Sequence, residues 1–198
     1  PAYQWYYALA QILSRMGHPH AEVVGILQSI IAKIMRFYPA QSIWTVIGVT
    51  QSEDGPRKEH VQDTLKQLRK HKPHLDDMST AMELLFQELI ELAMKMPSEK
   101  QPLTKRTIGR RLGLANLNIA MPLQQTLTAC LPVQNGTMRD EEHEAFPCQD
   151  LSVQRFGPDV KVMNSKERPK KIGIMASDGA MRHFLCKAEK SGDLRKDS

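Results

Sequence analysis

Asp159–Asp197 reads DVKVMNSKERPKKIGIMASDGAMRHFLCKAEKSGDLRKD, and the fold turns on this stretch. Three short runs with partial apolar/polar alternation predict strands at Val160–Met163, Lys171–Met175 and Met181–Lys187. Asn164-Ser165-Lys166-Glu167-Arg168-Pro169 joins the first two. Ser177-Asp178-Gly179, with its Asp-Gly hairpin signal, joins the last two. The product is a small antiparallel meander. Lys187 closes the third run, which puts its ammonium beneath the loop between the first two strands. A strand lysine facing a loop of backbone N–H groups is one way a protein holds phosphates. A basic hairpin without a ligand is the other reading the letters leave open.

Charge points to the same end of the chain. The 198 residues carry 27 Lys/Arg and 22 Asp/Glu, a formal +5. From Arg155 onward there are 11 Lys/Arg against 6 Asp/Glu, so the whole excess lies there and the preceding part is neutral. This favours an anionic ligand near the carboxyl end and argues against a nucleic-acid wrap over the first 150 residues. Three cysteines (Cys130, Cys148, Cys186), with no CxxC, read as reduced structural thiols of a cytosolic or nuclear protein. Asn135-Gly136-Thr137 matches a glycosylation acceptor, but neither a signal peptide nor an apolar run of 18 residues accompanies it.

Residues 1–96 read as helices. Tyr6, Leu9, Ile12, Leu13 and Met16 predict one helix over Tyr3–Met16. Val23, Leu27, Ile30 and Ile34, flanked by Val24, Ile31 and Met35, predict a second over His20–Tyr38. Residues 40–50 are dense in β-branched residues, yet the Ile43/Val46/Ile47 spacing favours a helix. Arg57–Lys72 carries a thin stripe of Val61, Leu65 and Leu68. Leu75–Met96 packs Met78, Met82, Leu85, Phe86, Leu89 and Ala93. Short loops between such helices predict a helical-repeat array. Trp5, Tyr6, Met35, Phe37 and Trp44 follow the stripes and are expected in the core. His18/His20 and His71/His74 flank prolines and read as surface or capping residues, with no metal set.

Pro97–Thr104 reads as a polar linker, and Lys105-Arg106 and Arg110-Arg111 as a solvated helix face. A connecting helix is expected within Ile119–Leu131. The acidic run Arg139–Asp150 is expected as a mobile excursion.

His18–Trp44 (HPHAEVVGILQSIIAKIMRFYPAQSIW), then RPKKIGIMASDG, FLCK and DLRKD in that order, resembles the phosphatidylinositol 3-kinase-related protein kinases, in their DNA-damage checkpoint branch of the ATR and Mec1 kind. The resemblance implies a mainly α fold. FAT-type helical repeats would occupy 1–96, a linker with connecting helices 97–150, and the start of a kinase amino-terminal lobe 151–198. It also implies a piece of a larger chain, cut at both ends and inactive by itself. The parent would be an ATP- and Mg2+-dependent nuclear serine/threonine protein kinase. Its partners would be an ATRIP/Ddc2-type regulatory subunit, a second copy in a dimer, and protein substrates. Single-stranded DNA would be reached through the regulatory subunit, and no membrane is implied.

Carried onto this sequence, Asn164 to Pro169 match the phosphate-binding loop, although the loop lacks the G-x-G-x-x-G signature. Asn164 falls within it, and Ser165 matches the position that approaches the phosphates. Lys187 matches the phosphate-pairing strand lysine. Met163 and Leu185 match adenine-pocket positions, and Asp197 an acidic position that orders the lysine region. Five residues, Ala188–Gly192, stand between Lys187 and DLR where relatives have three, and Gly192 replaces an acidic residue. A helical scaffold with a basic docking module, or a lipid kinase of the same superfamily, are the alternative readings.

Overall fold

The computed structural model describes residues 1–95, 108–132, 138–148, 150–165 and 167–188. Lys105-Arg106, the Pro97–Thr104 linker, Asn135-Gly136-Thr137 and Asp197 therefore lie outside the described residues.

The single helix expected over Tyr3–Met16 is two, α1 (Ala2–Tyr7) and α2 (Leu9–Ser14). Ala8 between them takes φ −94° and ψ 4° and donates its N–H to Trp5 O, three residues back. Such a tightened turn offsets the two axes. The offset lets the buried Tyr3 donate its hydroxyl to Met138 O at 3.1 Å and lets the Tyr7 hydroxyl reach Ala129 O.

α3 (Ala21–Phe37), α4 (Pro39–Thr50), α5 (Gly55–His71) and α6 (Pro73–Met94) follow. Residues 40–50 are helical despite their β-branching because Ile43, Val46, Ile47 and Thr50 land on one buried face. α5 starts two residues before the expected Arg57: Asp54 caps it, its Oδ1 accepting the Arg57 N–H at 3.2 Å, and Pro56 sits in the first turn, where an N–H is not needed. α3 packs on α4 and α5, and α6 packs on α4 and α5, giving the stacked array that the short loops predict. Gln28 Nε2 ties α3 to α5 through His60 O at 3.0 Å. Between α5 and α6, Arg69 reaches Ser79 Oγ and Glu83 Oε1, each at 2.7 Å. Met35 is buried, whereas Trp5 and Phe37 are 46% and 39% exposed and are not core. His18 Nδ1 accepts the His20 N–H at the surface just ahead of α3, whose first turn carries no side-chain cap.

The connecting segment departs most from expectation. Within Ile119–Leu131 only Gln124–Leu127 (α7) is α-helical. The preceding backbone is spent on other elements. Ala120 N–H donates to Ala40 O, Met121 N–H to Leu151 O, and Ile119 O accepts from Val153 N–H. Trp44 Nε1 donates to Ala120 O at 2.8 Å. With Asn118 at φ 49° before it and Pro122 after it, this stretch cannot propagate a helix. Arg110 and Arg111 likewise sit in a turn bounded by Gly109 and Gly113, both at left-handed φ, rather than on a helix face.

The acidic run is a loop, but it is packed down rather than free to swing. Phe146, 2% exposed, meets the rings of Tyr6 and Tyr38 edge-on at 4.9 and 5.0 Å, and His143 meets Tyr3 at 4.6 Å. Asp140 accepts the Ala2 N–H and faces Lys33 Nζ at 3.5 Å. Burial in this cluster pushes the Tyr6 and Tyr38 hydroxyls up to about 12.

Strands β1 (Val153–Val162), β2 (Lys170–Ala176) and β3 (Met181–Cys186) form an antiparallel sheet in the order β1-β2-β3. β1 begins seven residues before its expected start, and its register slips between Phe156 and Val160, across Gly157-Pro158. Val153, Phe156, Val160, Ile172, Ile174 and Ala176 join one continuous core with the helices. In the β2–β3 turn Gly179 takes φ 78°, Asp178 Oδ1 accepts the Ala180 N–H at 2.9 Å, and Arg182 grips the same carboxylate at 2.9 and 2.6 Å. Among the described residues no helix is long and apolar enough to cross a membrane.

Two outcomes follow from this packing. Phe146→Ala removes the aromatic anchor at a cost of about 3 kcal/mol; limited proteolysis should then cut within residues 138–148 much faster, while α3–α6 keep their helical circular-dichroism signal. The Arg182 hydrogen bonds hold the Asp178 carboxyl down to about 2 from 3.8. A depressed carboxylate stabilises the turn fully above its unfolded pKa, and that contribution disappears as pH falls from there through about 2. A carboxyl NMR titration should place the Asp178 midpoint near 2, and Arg182→Gln should return it toward 3.8.

Candidate phosphate-binding end of the sheet

Strand alternation gives the sheet two unlike faces. Lys170, Ile172, Ile174 and Ala176 of β2 are all buried toward the helices, and Phe184 and Cys186 of β3 pack on the same core. Lys171, Gly173 and Met175, with Met181, His183 and Leu185 opposite them, take the other face. That face is open: Leu185 is 63% exposed. A Cβ on Gly173 would stand 2.8 Å from Met181 Sδ, so the flexible Met181 side chain that lies across it would have to shift.

At one end of this open face the register collects cations. Lys161 pairs with Lys171, and Lys171 with Leu185. Like charges directly opposite each other on an antiparallel pair are unfavourable. Among the described residues neither Lys161 nor Lys171 has a carboxylate within salt-bridge distance. Lys187, exposed and one residue beyond β3, follows Leu185 in the same alternation.

The loop between β1 and β2 closes over the same end. Met163 N–H donates to Pro169 O at 2.9 Å, Ser165 N–H to Met163 O at 3.0 Å, and Arg168 N–H to Ser165 O at 3.0 Å. Arg168 takes φ 44° to make the return. Asn164 and Ser165 are exposed at the tip, and Met163 is half-buried at its base. Val162, Lys170 and Cys186 form one cross-strand row, so the loop and Lys187 leave the sheet side by side.

Beneath that row the sheet meets α6. Lys170, 1% exposed, donates its ammonium to Ala93 O. Cys186 Sγ donates to Leu89 O at 3.4 Å. Burial pushes the Cys186 thiol up, against the opposing pull of the Lys170 charge. Gly109 N–H donates to Glu88 Oε2, also on α6, at 2.6 Å.

Of the residues expected from the sequence, Met163, Asn164, Ser165, Leu185 and Lys187 gather at one end of the sheet, while Asp197 and most of the Ala188–Gly192 connection lie outside the described residues. Lys161, Lys171, Lys170 and Cys186 were not anticipated. Counting alternate residues back from Ile172 separates inward Lys170 from outward Lys171, a signal present in the letters. The contact with Ala93 has no such signal. No group of three or more His, Cys, Asp or Glu that could hold a metal ion occurs among the described residues.

The family described as "Serine/threonine-protein kinase ATR-like, HEAT repeats" matches residues 1–93. The chain is 32% identical over 206 residues to "Serine/threonine-protein kinase ATR" of Oryza sativa subsp. indica, covering 100% of this chain and 8% of that protein. It is 26% identical over 202 residues to "Serine/threonine-protein kinase MEC1" of Candida glabrata, again covering 100% and 8%. The solved "FAT and kinase domain of CtTel1" superposes on all of this chain and 13% of its own length, with a TM-score of 0.65 and 16% identity, a likeness of fold. The chain thus spans 8% of the length of the curated relatives it matches. Over its whole length the chain is therefore similar to phosphatidylinositol 3-kinase-related protein kinases of the ATR and Mec1 type, and it shares the fold of a helical array running into an open three-stranded sheet.

Proposed function

We propose that this chain supplies the phosphate-facing half of the ATP site of a serine/threonine protein kinase, and the helical base on which that half stands. The observation that carries the reading is the open lysine face, with Lys161 opposite Lys171 and Lys187 next in the alternation, beside a loop tipped by Asn164 and Ser165. Two lysines facing each other, with no carboxylate in salt-bridge distance among the described residues, repel, and an anion over them would relieve that repulsion.

In this reading Lys187 pairs with the nucleotide phosphates, and Ser165 and Asn164 give them hydrogen-bond donors. Lys161 and Lys171 add positive potential to the face. Met163 and Leu185 give the adenine ring an apolar surface, and Asp197 orders the lysine region. Mg2+, when bound, neutralises phosphate charge. Transfer to a hydroxyl also needs a positioned base, and the described residues provide charge and position rather than either of these. The names of the relatives favour a protein hydroxyl over a lipid as acceptor. The residue boundaries 1–96, 97–150 and 151–198, a nuclear checkpoint role, a dimer, and an ATRIP/Ddc2-type subunit leading to single-stranded DNA complete the proposal.

The test uses the full-length protein. Lys187→Met should lower phosphotransfer by at least about a hundredfold with an unchanged thermal midpoint. Lys171→Glu should raise the KM for ATP several-fold and flatten its salt dependence. Full transfer by Lys187→Met would overturn the reading in favour of a basic docking surface.

A further inference from the structure

We propose that Lys170 and Cys186 are positioning residues, a cross-strand pair through which the carboxyl end of α6 sets where Lys187 and the 163–169 loop stand. The inference rests on the nucleotide-site reading above.

Lys170 and Cys186 face each other directly in the β2–β3 register and point inward. Their two acceptors, Ala93 O and Leu89 O, are one turn apart at the end of α6. Ala93 O is among the last carbonyls of that helix, which have no partner within it, and the helix end carries partial negative charge. An ammonium satisfies both. The sheet does not need this pair for burial, because Val160, Ile172 and Ile174 already fill the core beside it. A buried ammonium is costly, and an apolar residue of similar size would pack in its place. What the pair adds is direction: a charged donor fixes one atom of β2 against one atom of α6.

The pair also stands where both functional segments leave the sheet. The loop ends at Pro169, one residue before Lys170, and Lys187 comes one residue after Cys186. At about 3.3 Å per strand residue, a shift of the α6 end is passed on with almost no intervening chain. Misplacements on the order of 1 Å are enough to damage phosphoryl transfer. The helical array therefore has a short, stiff route to the nucleotide.

The experiment compares Lys170→Met, Lys170→Arg and Cys186→Ala in the full-length kinase, with Lys187→Met as the control. Lys170→Met should raise the KM for ATP about tenfold while kcat changes less than about twofold, and Lys170→Arg should recover most of the loss. Cys186→Ala should raise the KM about threefold. Acylation of Lys187 by an acyl-phosphate derivative of ATP should slow in the same order. A pair with a merely structural role would lower the thermal midpoint and the active fraction and leave the KM for ATP unmoved. Unchanged KM and unchanged Lys187 labelling in Cys186→Ala and in Lys170→Met would overturn the proposal, and Cys186→Ala decides alone where Lys170→Met fails to fold. If Lys187→Met keeps full activity, it is the nucleotide-site reading that fails instead.

Discussion

The direction in which the sheet meets the helices depends on one contact, the Lys170 ammonium at the carboxyl end of α6. A lysine buried to 1% exposure is expensive unless its charge is met, and a helix end turned into a core leaves carbonyls that must be met. Each offsets the other's cost. Because Lys170 opens β2, the contact also fixes which face of the sheet turns inward. From it the alternation runs Ile172, Ile174, Ala176 into the shared core, and Lys171, Gly173, Met175 onto the open face. A slip of one residue would bury Lys171 and expose Ile172 and Ile174. The register is thus held by one charged contact and by the apolar residues behind it.

A second brace joins the same two parts from the other side. Trp44 of α4 holds Ala120 O, and Ala120 N–H returns to Ala40 O. Met121 and Ile119 exchange hydrogen bonds with the approach to β1. Four of the five residues from Leu117 to Met121 are apolar, which is why they look like a helix in the letters. Their N–H and C=O groups serve two neighbours far away in sequence, and no local pattern encodes that. The acidic stretch is hidden by the same logic: its charges suggest solvent, but Ala145 and Phe146 dock it on Tyr6 and Tyr38.

What the sequence does disclose is whatever period carries. Stripes at helical spacing locate α3 to α6 to within a few residues, and they outweigh β-branching at Ile43–Ile47 because four buried positions share one face. Ser177-Asp178-Gly179 locates the hairpin because the turn demands a positive φ that Gly179 supplies. The break at Ala8 is not legible, since alanine favours helix and the turn there serves Tyr3 and Tyr7, whose acceptors lie more than a hundred residues away. Likewise Arg110 and Arg111 look like a helix face until Gly109 and Gly113 are both seen to be left-handed.

Lys170 and Lys171 make the strongest case that position, and not residue type, assigns a role here. They are adjacent and chemically identical, and in the sequence they read together as a basic patch. The pleat sends one to a helix carbonyl and the other to an open face opposite Lys161. The inner lysine is worth its hydrogen bond and its place in the core, so its environment is dry and nearly blind to salt. The outer one acts through potential in water and is screened. Net charge at this end of the chain therefore counts two effects that ionic strength separates. Only the outer lysines can contribute to holding an anion, and only the inner one to holding the sheet that presents them.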